Sequence, residues 1–188
     1  MAVTSQMLAL GTAMPAFSLP DTVSGRSVAS TELAGKPSVV IFICNHCPYV
    51  KRIRDGLAAF GRSCSELGVP MVAISSNDPA TYPDDAPDKM KAEAKEAGYP
   101  FPYLFDDSQA VAKAFRAACT PDLYIFDASG RLAYRGQFDD ARPKNDASVT
   151  GADARRAVEA LLAGKSPSSD QKPSIGCSIK WKPGNEPA

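Results

Sequence analysis

The stretch Ser38-Val-Val-Ile-Phe-Ile-Cys44-Asn45-His46-Cys47-Pro48-Tyr49-Val50 decides the fold. Residues 38–44 are rich in β-branched side chains and almost unbroken in apolar character. This predicts a central strand buried on both faces rather than an alternating surface strand. Directly after it, Val50, Ile53, Leu57, Phe60, Cys64 and Leu67 recur three or four residues apart. They form one stripe of an amphipathic helix, expected to stop at Gly68 with Pro70 beyond it. Residues 69–75 read as a second buried strand. Strand, helix and strand in this order make a βαβ unit, whose two strands run parallel.

Outward from this unit, residues 77–87 are dense in Pro and Asp and read as a loop with at most a helical turn. Residues 88–97 predict a charged helix stopped by Gly98, and Tyr103–Phe105 a short strand. Ser108 is placed to cap a helix over 109–117. Residues 123–126 and 132–136 read as strands joined through Asp127-Ala-Ser-Gly130, a hairpin connection. A last helix is expected over 153–163, closed by Gly164. The chain thus reads as a domain over residues 1–165 and an extended tail over 166–188, rich in Pro, Ser, Lys and Asp. Within the tail, Ile175, Cys177, Ile179 and Trp181 alternate with small or polar residues. A period of two predicts a segment that docks as a strand on the body or on a neighbouring subunit, which leaves a homodimer open.

At 188 residues and 19.9 kDa the chain has one domain's worth of sequence plus the tail. Lys+Arg and Asp+Glu tie at 21 each, so no charge excess points to nucleic acid or a membrane surface. No run approaches the roughly 18 apolar residues of a membrane span. The first basic residue is Arg26 and no long apolar run precedes it, so a secretory signal is not expected and the reading is cytoplasmic. In that compartment thiols are normally kept reduced. The chain has one histidine and five cysteines. A multi-histidine metal site is excluded, and an odd cysteine count fits a fully paired secreted scaffold poorly. Thiol chemistry is the lead.

Cys44 and Cys47 sit where the buried strand hands over to the helix. With two residues between them at a helix start, their sulfurs can close a small disulfide without unfolding anything. Free N–H groups and partial positive charge at the helix N-terminus favour a thiolate there, as does His46 when protonated. The thiolate is the attacking species in disulfide exchange. Pro48 suits the first helical turn, where its missing N–H has no intrahelical partner. A metal-binding module built on Cys44 and Cys47 stays open, but zinc needs two more ligands. The candidates are His46, Cys64, Cys119 and Cys177; none forms a second CxxC, and Cys64 belongs to the apolar stripe. The redox reading is preferred.

These residues also carry a resemblance. The strand–CxxC–helix, the following βα unit and Thr120-Pro121 ahead of a hairpin and a final helix look like the thioredoxin fold. Gly11-Thr-Ala-Met-Pro15-Ala-Phe17-Ser-Leu19-Pro20-Asp21…Gly25 is similar to the first segment of peroxiredoxins and TlpA-like oxidoreductases. FICNHCPYV, SSNDP, CTPDLY and SIGCSIKWKPGNEP resemble peroxiredoxin-like redoxins of the AhpC/TSA type. The resemblance implies an α/β thioredoxin-like fold, a central mixed sheet flanked by helices, with an N-terminal peroxiredoxin-type extension. It implies a thiol–disulfide oxidoreductase of redox homeostasis with no organic cofactor and no metal. Its partners would be a protein or small-molecule disulfide and a thiol protein that donates or accepts electrons. By the same resemblance Cys44 is the exposed nucleophile, Cys47 the resolving thiol, and Pro121 a cis-proline beside the disulfide. His46 is expected to make the couple more oxidising than that of thioredoxin. Cys47-Pro48 aligns with the peroxidatic Cys-Pro of peroxiredoxins, which leaves a thiol peroxidase acting through Cys47 as an alternative. Cys44 stands where those enzymes have Thr or Ser, and Val40 where they have Pro, so the hydroxyl that orients a peroxide is missing.

Two further thiols are candidates. Cys119, two residues before Pro121, reads as a small buried residue or a third redox thiol. Cys177, riding on the docking segment, reads as a resolving thiol or as packing. Asp78, after the second strand, reads as a turn cap before Pro79 or a proton acceptor near Cys47. Asp139, Asp140 and Arg142 read as solvated charges.

Overall fold

The run Ser38–Phe42 is buried along its whole length and forms the middle strand of the main sheet, as its unbroken apolar sequence requires. The computed structural model describes residues 2–187. In chain order its elements are β1 (Ala2–Thr4), β2 (Ser18–Pro20), β3 (Ser27–Ala29), β4 (Ser38–Phe42), α1 (Pro48–Glu66), β5 (Met71–Ser75), α2 (Pro87–Ala97), β6 (Tyr103–Phe105), α3 (Ala110–Phe115), β7 (Cys119–Thr120), β8 (Asp122–Phe126), β9 (Leu132–Gly136), α4 (Ala152–Leu162) and β10 (Ile175–Ser178). Short 3-10 turns lie at Ser30–Leu33 and Pro83–Asp85.

The main sheet has the order β6-β5-β4-β8-β9. β4 pairs parallel with β5, closing the expected βαβ unit through α1, and antiparallel with β8, whose hairpin with β9 completes the mixed sheet. Alternate residues of β4 feed two cores. Val39 and Ile41, with Ile43 just beyond the strand, meet the apolar faces of α1, α2 and α4, while Val40 and Phe42 meet α3 and the β2–β3 hairpin. Each fully buried Val, Ile or Phe contributes about 1.5–3 kcal/mol. This is the thioredoxin-like α/β fold, with β1–β3 forming the N-terminal extension.

The cap position of α3 is Gln109, at φ 61°, and the helix begins at Ala110 and ends at Phe115. The Ser108 hydroxyl accepts the Ala110 N–H at 3.3 Å, as expected of a capping serine. Asp106 adds to it: its carboxylate accepts the Ala112 N–H at 3.0 Å and the Ser76 hydroxyl at 2.9 Å. Gln109 is thereby free to reach elsewhere. The solvated reading of Asp139 is also overturned. Asp139 is buried, and its carboxylate accepts the backbone N–H groups of Ala141, Thr150 and Gly151, tying the loop to the start of α4. Arg142 is half-buried and donates to the Asp139 and Ala141 carbonyls and to Gln137. Asp140 is the exposed member of the three.

The C-terminal segment lies on the body of the same chain. β10 is the middle strand of a second sheet, between β1 and β7, with Cys177 opposite Thr120 and Ser178 opposite Cys119. A Cβ on Gly176 would overlap the Thr120 carbonyl, so only glycine permits this approach. Beyond β10, the Lys180 N–H donates to Asn77 Oδ1 and the Lys182 N–H to Gln109 Oε1, each at 2.8–2.9 Å. The Lys180 carbonyl accepts from the Asp78 N–H and from Gln109 Nε2. Asn77 and Gln109 are buried polar side chains, and these bonds meet the requirement that such groups be paired.

Candidate active site

Three elements converge on Cys44 and Cys47. The turn after β4 carries Cys44, the N-cap of α1 is Cys47, with Pro48 as the first helical residue, and β7 supplies Thr120. The Thr120–Pro121 peptide bond is cis. Thr120 touches both sulfurs: its hydroxyl lies 3.2 Å from Cys44 Sγ, and its carbonyl accepts from Cys47 Sγ at 3.1 Å. Cys44 is 1% exposed and Cys47 0%, so the exposed Cys44 implied by the resemblance is corrected: both sulfurs are sealed.

The nearness of the two thiols divides their acidities. It pushes Cys44 far above the usual thiol range, and burial and the Asp85 carboxylate push the same way against the lowering Thr120 hydroxyl. The Cys44 thiol beside it holds Cys47 well below that range despite burial, helped by Thr120 and by the nearby backbone N–H groups of Cys177 and Val50. The Thr120 carbonyl favours a protonated Cys47 and opposes this. The positive end of α1 acts against it, and the negative charge centres on Cys47.

Asp85 is the site residue that sequence reasoning missed. It is fully buried. Its Oδ1 accepts the N–H groups of Asn45 and His46 at 2.8 and 3.2 Å. Its Oδ2 lies 2.6 Å from His46 Nδ1 and accepts Asn77 Nδ2 at 2.8 Å. One carboxylate thus fixes both residues between the cysteines. The only signal was Asp84-Asp85 after Pro83 in a loop read as plain connection. The His46 ring stacks on Tyr82 at 4.8 Å, and Lys180 Nζ lies 5.4 Å from the centre of that Tyr82 ring. His46 Nδ1 is 3.8 Å from Cys44 Sγ but closer to Asp85, so its Nδ1 proton is committed to the carboxylate. Cys44, His46 and Asp85 bring three donor atoms within 4.8 Å of one another. A metal there would compete with the four hydrogen bonds that Asp85 already accepts.

The remaining candidates separate. Cys119 is buried, its Sγ 3.6 Å from the Pro121 carbonyl, and burial raises its thiol far above the usual range. Cys64 is buried on α1 and pushed up to about 12 by burial, against the lowering charge of Arg155. Asp78 caps its own turn: its carboxylate accepts the Thr81 hydroxyl and the Ala80 N–H, and these bonds, that of Thr81 first, hold it below the usual carboxylate range. Cys177 is half-buried and packs against the cluster that contains Cys44 and Cys47.

The sequence matches the AhpC/TSA family over residues 10–135, well over half of the chain. No curated protein matches it. Among solved structures, an uncharacterized conserved protein from Geobacillus kaustophilus is 50% identical, with 97% of each chain covered and a TM-score of 0.95. A hypothetical protein from Sinorhizobium meliloti 1021 is 48% identical, covering 96% of this chain and 99% of its own, at a TM-score of 0.93. A thiol:disulfide interchange protein of the thioredoxin family from Chlorobium tepidum shares the fold at 21% identity and a TM-score of 0.63, covering 82% of this chain and 98% of its own. The chain belongs to the AhpC/TSA family, oxidoreductases of the thioredoxin fold.

Proposed function

We propose that the protein is a thiol–disulfide oxidoreductase in which Cys47 is the attacking thiolate and Cys44 the thiol that closes the disulfide. What supports this reading is the place of Cys47 at the N-cap of α1, where the free N–H groups of the first turn favour a thiolate, while the neighbouring Cys47, burial and the Asp85 carboxylate keep Cys44 protonated. Cys47 attacks one sulfur of a substrate disulfide, and the other sulfur leaves as a thiolate. Cys44 then attacks Cys47 in the mixed disulfide, releases the second substrate thiol and leaves a Cys44–Cys47 bond. The Thr120 hydroxyl, 3.2 Å away, is placed to donate to the Cys44 thiolate as it forms. The roles are the reverse of those implied by the resemblance, because the helix N-cap is Cys47. The exchange needs no organic cofactor, and its electrons come from or go to a thiol protein partner.

In Cys44→Ser, which keeps a hydroxyl donor beside Cys47, combined with Cys177→Ser so that no neighbouring thiol can release the substrate, mixed disulfides should accumulate on Cys47 when the protein meets a disulfide-bonded protein substrate. Trapping through Cys47→Ser instead, with none through the combined variant, reverses the roles; trapping through neither rejects disulfide exchange. A second reading, a thiol peroxidase at Cys47, draws on the same thiolate ahead of Pro48. Oxidation by hydrogen peroxide at the slow rate of an ordinary free thiol removes it.

A further inference from the structure

Cys47 has a second thiol neighbour. β10 runs antiparallel to β7 so that Cys177 lies opposite Thr120, the residue that contacts both Cys44 and Cys47. From there Cys177 packs against the buried cluster that contains Cys44 and Cys47, near enough for the charge on Cys47 to act on its thiol. The arrangement is held from both sides. On one, Gly176 packs against the Thr120 carbonyl; on the other, Lys180 and Lys182 are bonded to the buried Asn77 and Gln109. Three thiols therefore lie in sequence, Cys44, Cys47 and Cys177, and only the last is partly exposed.

We propose that Cys177 is the third redox thiol of this site, attacking Cys47 in the Cys44–Cys47 disulfide and carrying the oxidised bond outward to β10. The proposal rests on the reading of Cys44 and Cys47 as a redox pair. In the step, the Cys177 thiol gives up its proton and its sulfur bonds to Cys47. The Cys44–Cys47 bond breaks, and Cys44 leaves as a thiolate that the Thr120 hydroxyl receives before it takes up a proton. One disulfide and one thiol become one disulfide and one thiol, so no external oxidant enters. Charge favours the step in the oxidised state. In the reduced protein the Cys177 thiol is held up to about 11, by burial first and then by the neighbouring Cys47 and the charge there. Once Cys47 is in a disulfide that charge is gone, while Lys180 still acts to lower Cys177. Cys119 lies opposite Ser178 in the register, is fully buried and donates to the Pro121 carbonyl, so it offers no route outward.

The test maps cysteine cross-links by mass spectrometry after the full chain is oxidised with excess oxidised glutathione and its free thiols are blocked. Wild type should give both Cys44–Cys47 and Cys47–Cys177 bonds. Cys44→Ser and Cys44→Ala should each give an intramolecular Cys47–Cys177 bond in most molecules. If wild type yields Cys44–Cys47 alone and both variants leave glutathione on Cys47 with Cys177 free, the third-thiol role is overturned and the redox pair stands. If wild type yields no Cys44–Cys47 bond, the redox pair and the relay fall together.

Discussion

Helix α1 carries a buried cysteine near each end, and the two have opposite characters. Cys47 at the N-cap is 0% exposed and Cys64 near the other end is 1% exposed, so access to solvent does not separate them. Cys64 packs among apolar side chains, and burial pushes its thiol up to about 12. Cys47 is equally enclosed yet held low, by the neighbouring Cys44 thiol first and then by Thr120 and the polar groups at the start of α1. What the sulfur faces, not how deeply it lies, decides whether it is a thiolate. One end of the helix is a reagent and the other is packing.

The comparison breaks first at the cysteines themselves. Cys47→Ser should lower turnover of a disulfide substrate by at least about 1,000-fold, the scale seen when a nucleophile is removed. Cys64→Ser should leave turnover within about twofold but cost on the order of 1–3 kcal/mol of stability, because a hydroxyl replaces a thiol in an apolar core. Steady-state assays with denaturant unfolding of both variants check the pair. Comparable losses of turnover in the two would erase the distinction between the helix ends. A smaller effect sharpens it. Asp85→Asn keeps an acceptor for the Asn45 and His46 N–H groups but removes the charge that disfavours a reduced, anionic pair. The midpoint potential in a glutathione redox buffer should rise by on the order of 30 mV, about one pKa unit in a two-electron couple. A fall in potential would contradict the electrostatic role given to Asp85.

Much of this was legible in the chain where hydrophobic period and turn chemistry act alone. The continuous run in β4, the stripe Val50–Ile53–Leu57–Phe60–Cys64 on α1 and the hairpin at Asp127–Gly130 depend on local sequence and were read correctly; Leu67, expected to close the stripe, is instead 54% exposed, because it is the C-cap where the helix ends. Ser108 was legible as a capping side chain, while Asp106 was not, because it reaches the Ala112 N–H from six residues upstream. Asp139 misled for a related reason: a carboxylate among charged neighbours looks solvated until Thr150 and Gly151 come round to donate to it. Asp85 was invisible because its 40-residue separation from Asn45 is closed only by tertiary folding. The division of charge within the pair was equally hidden. Spacing says that two sulfurs can meet, but Cys177 and Thr120 arrive from segments more than 70 residues away.

The central claim is that the reduced protein holds a thiolate at Cys47, and thiolate absorbance at 240 nm followed against pH measures it directly. In wild type and in Cys44→Ser one thiolate should titrate well below the ordinary cysteine value of about 8.5, and in Cys47→Ser that low-pH step should vanish. A step that survives in Cys47→Ser and disappears in Cys44→Ser would put the charge on Cys44 and contradict the account.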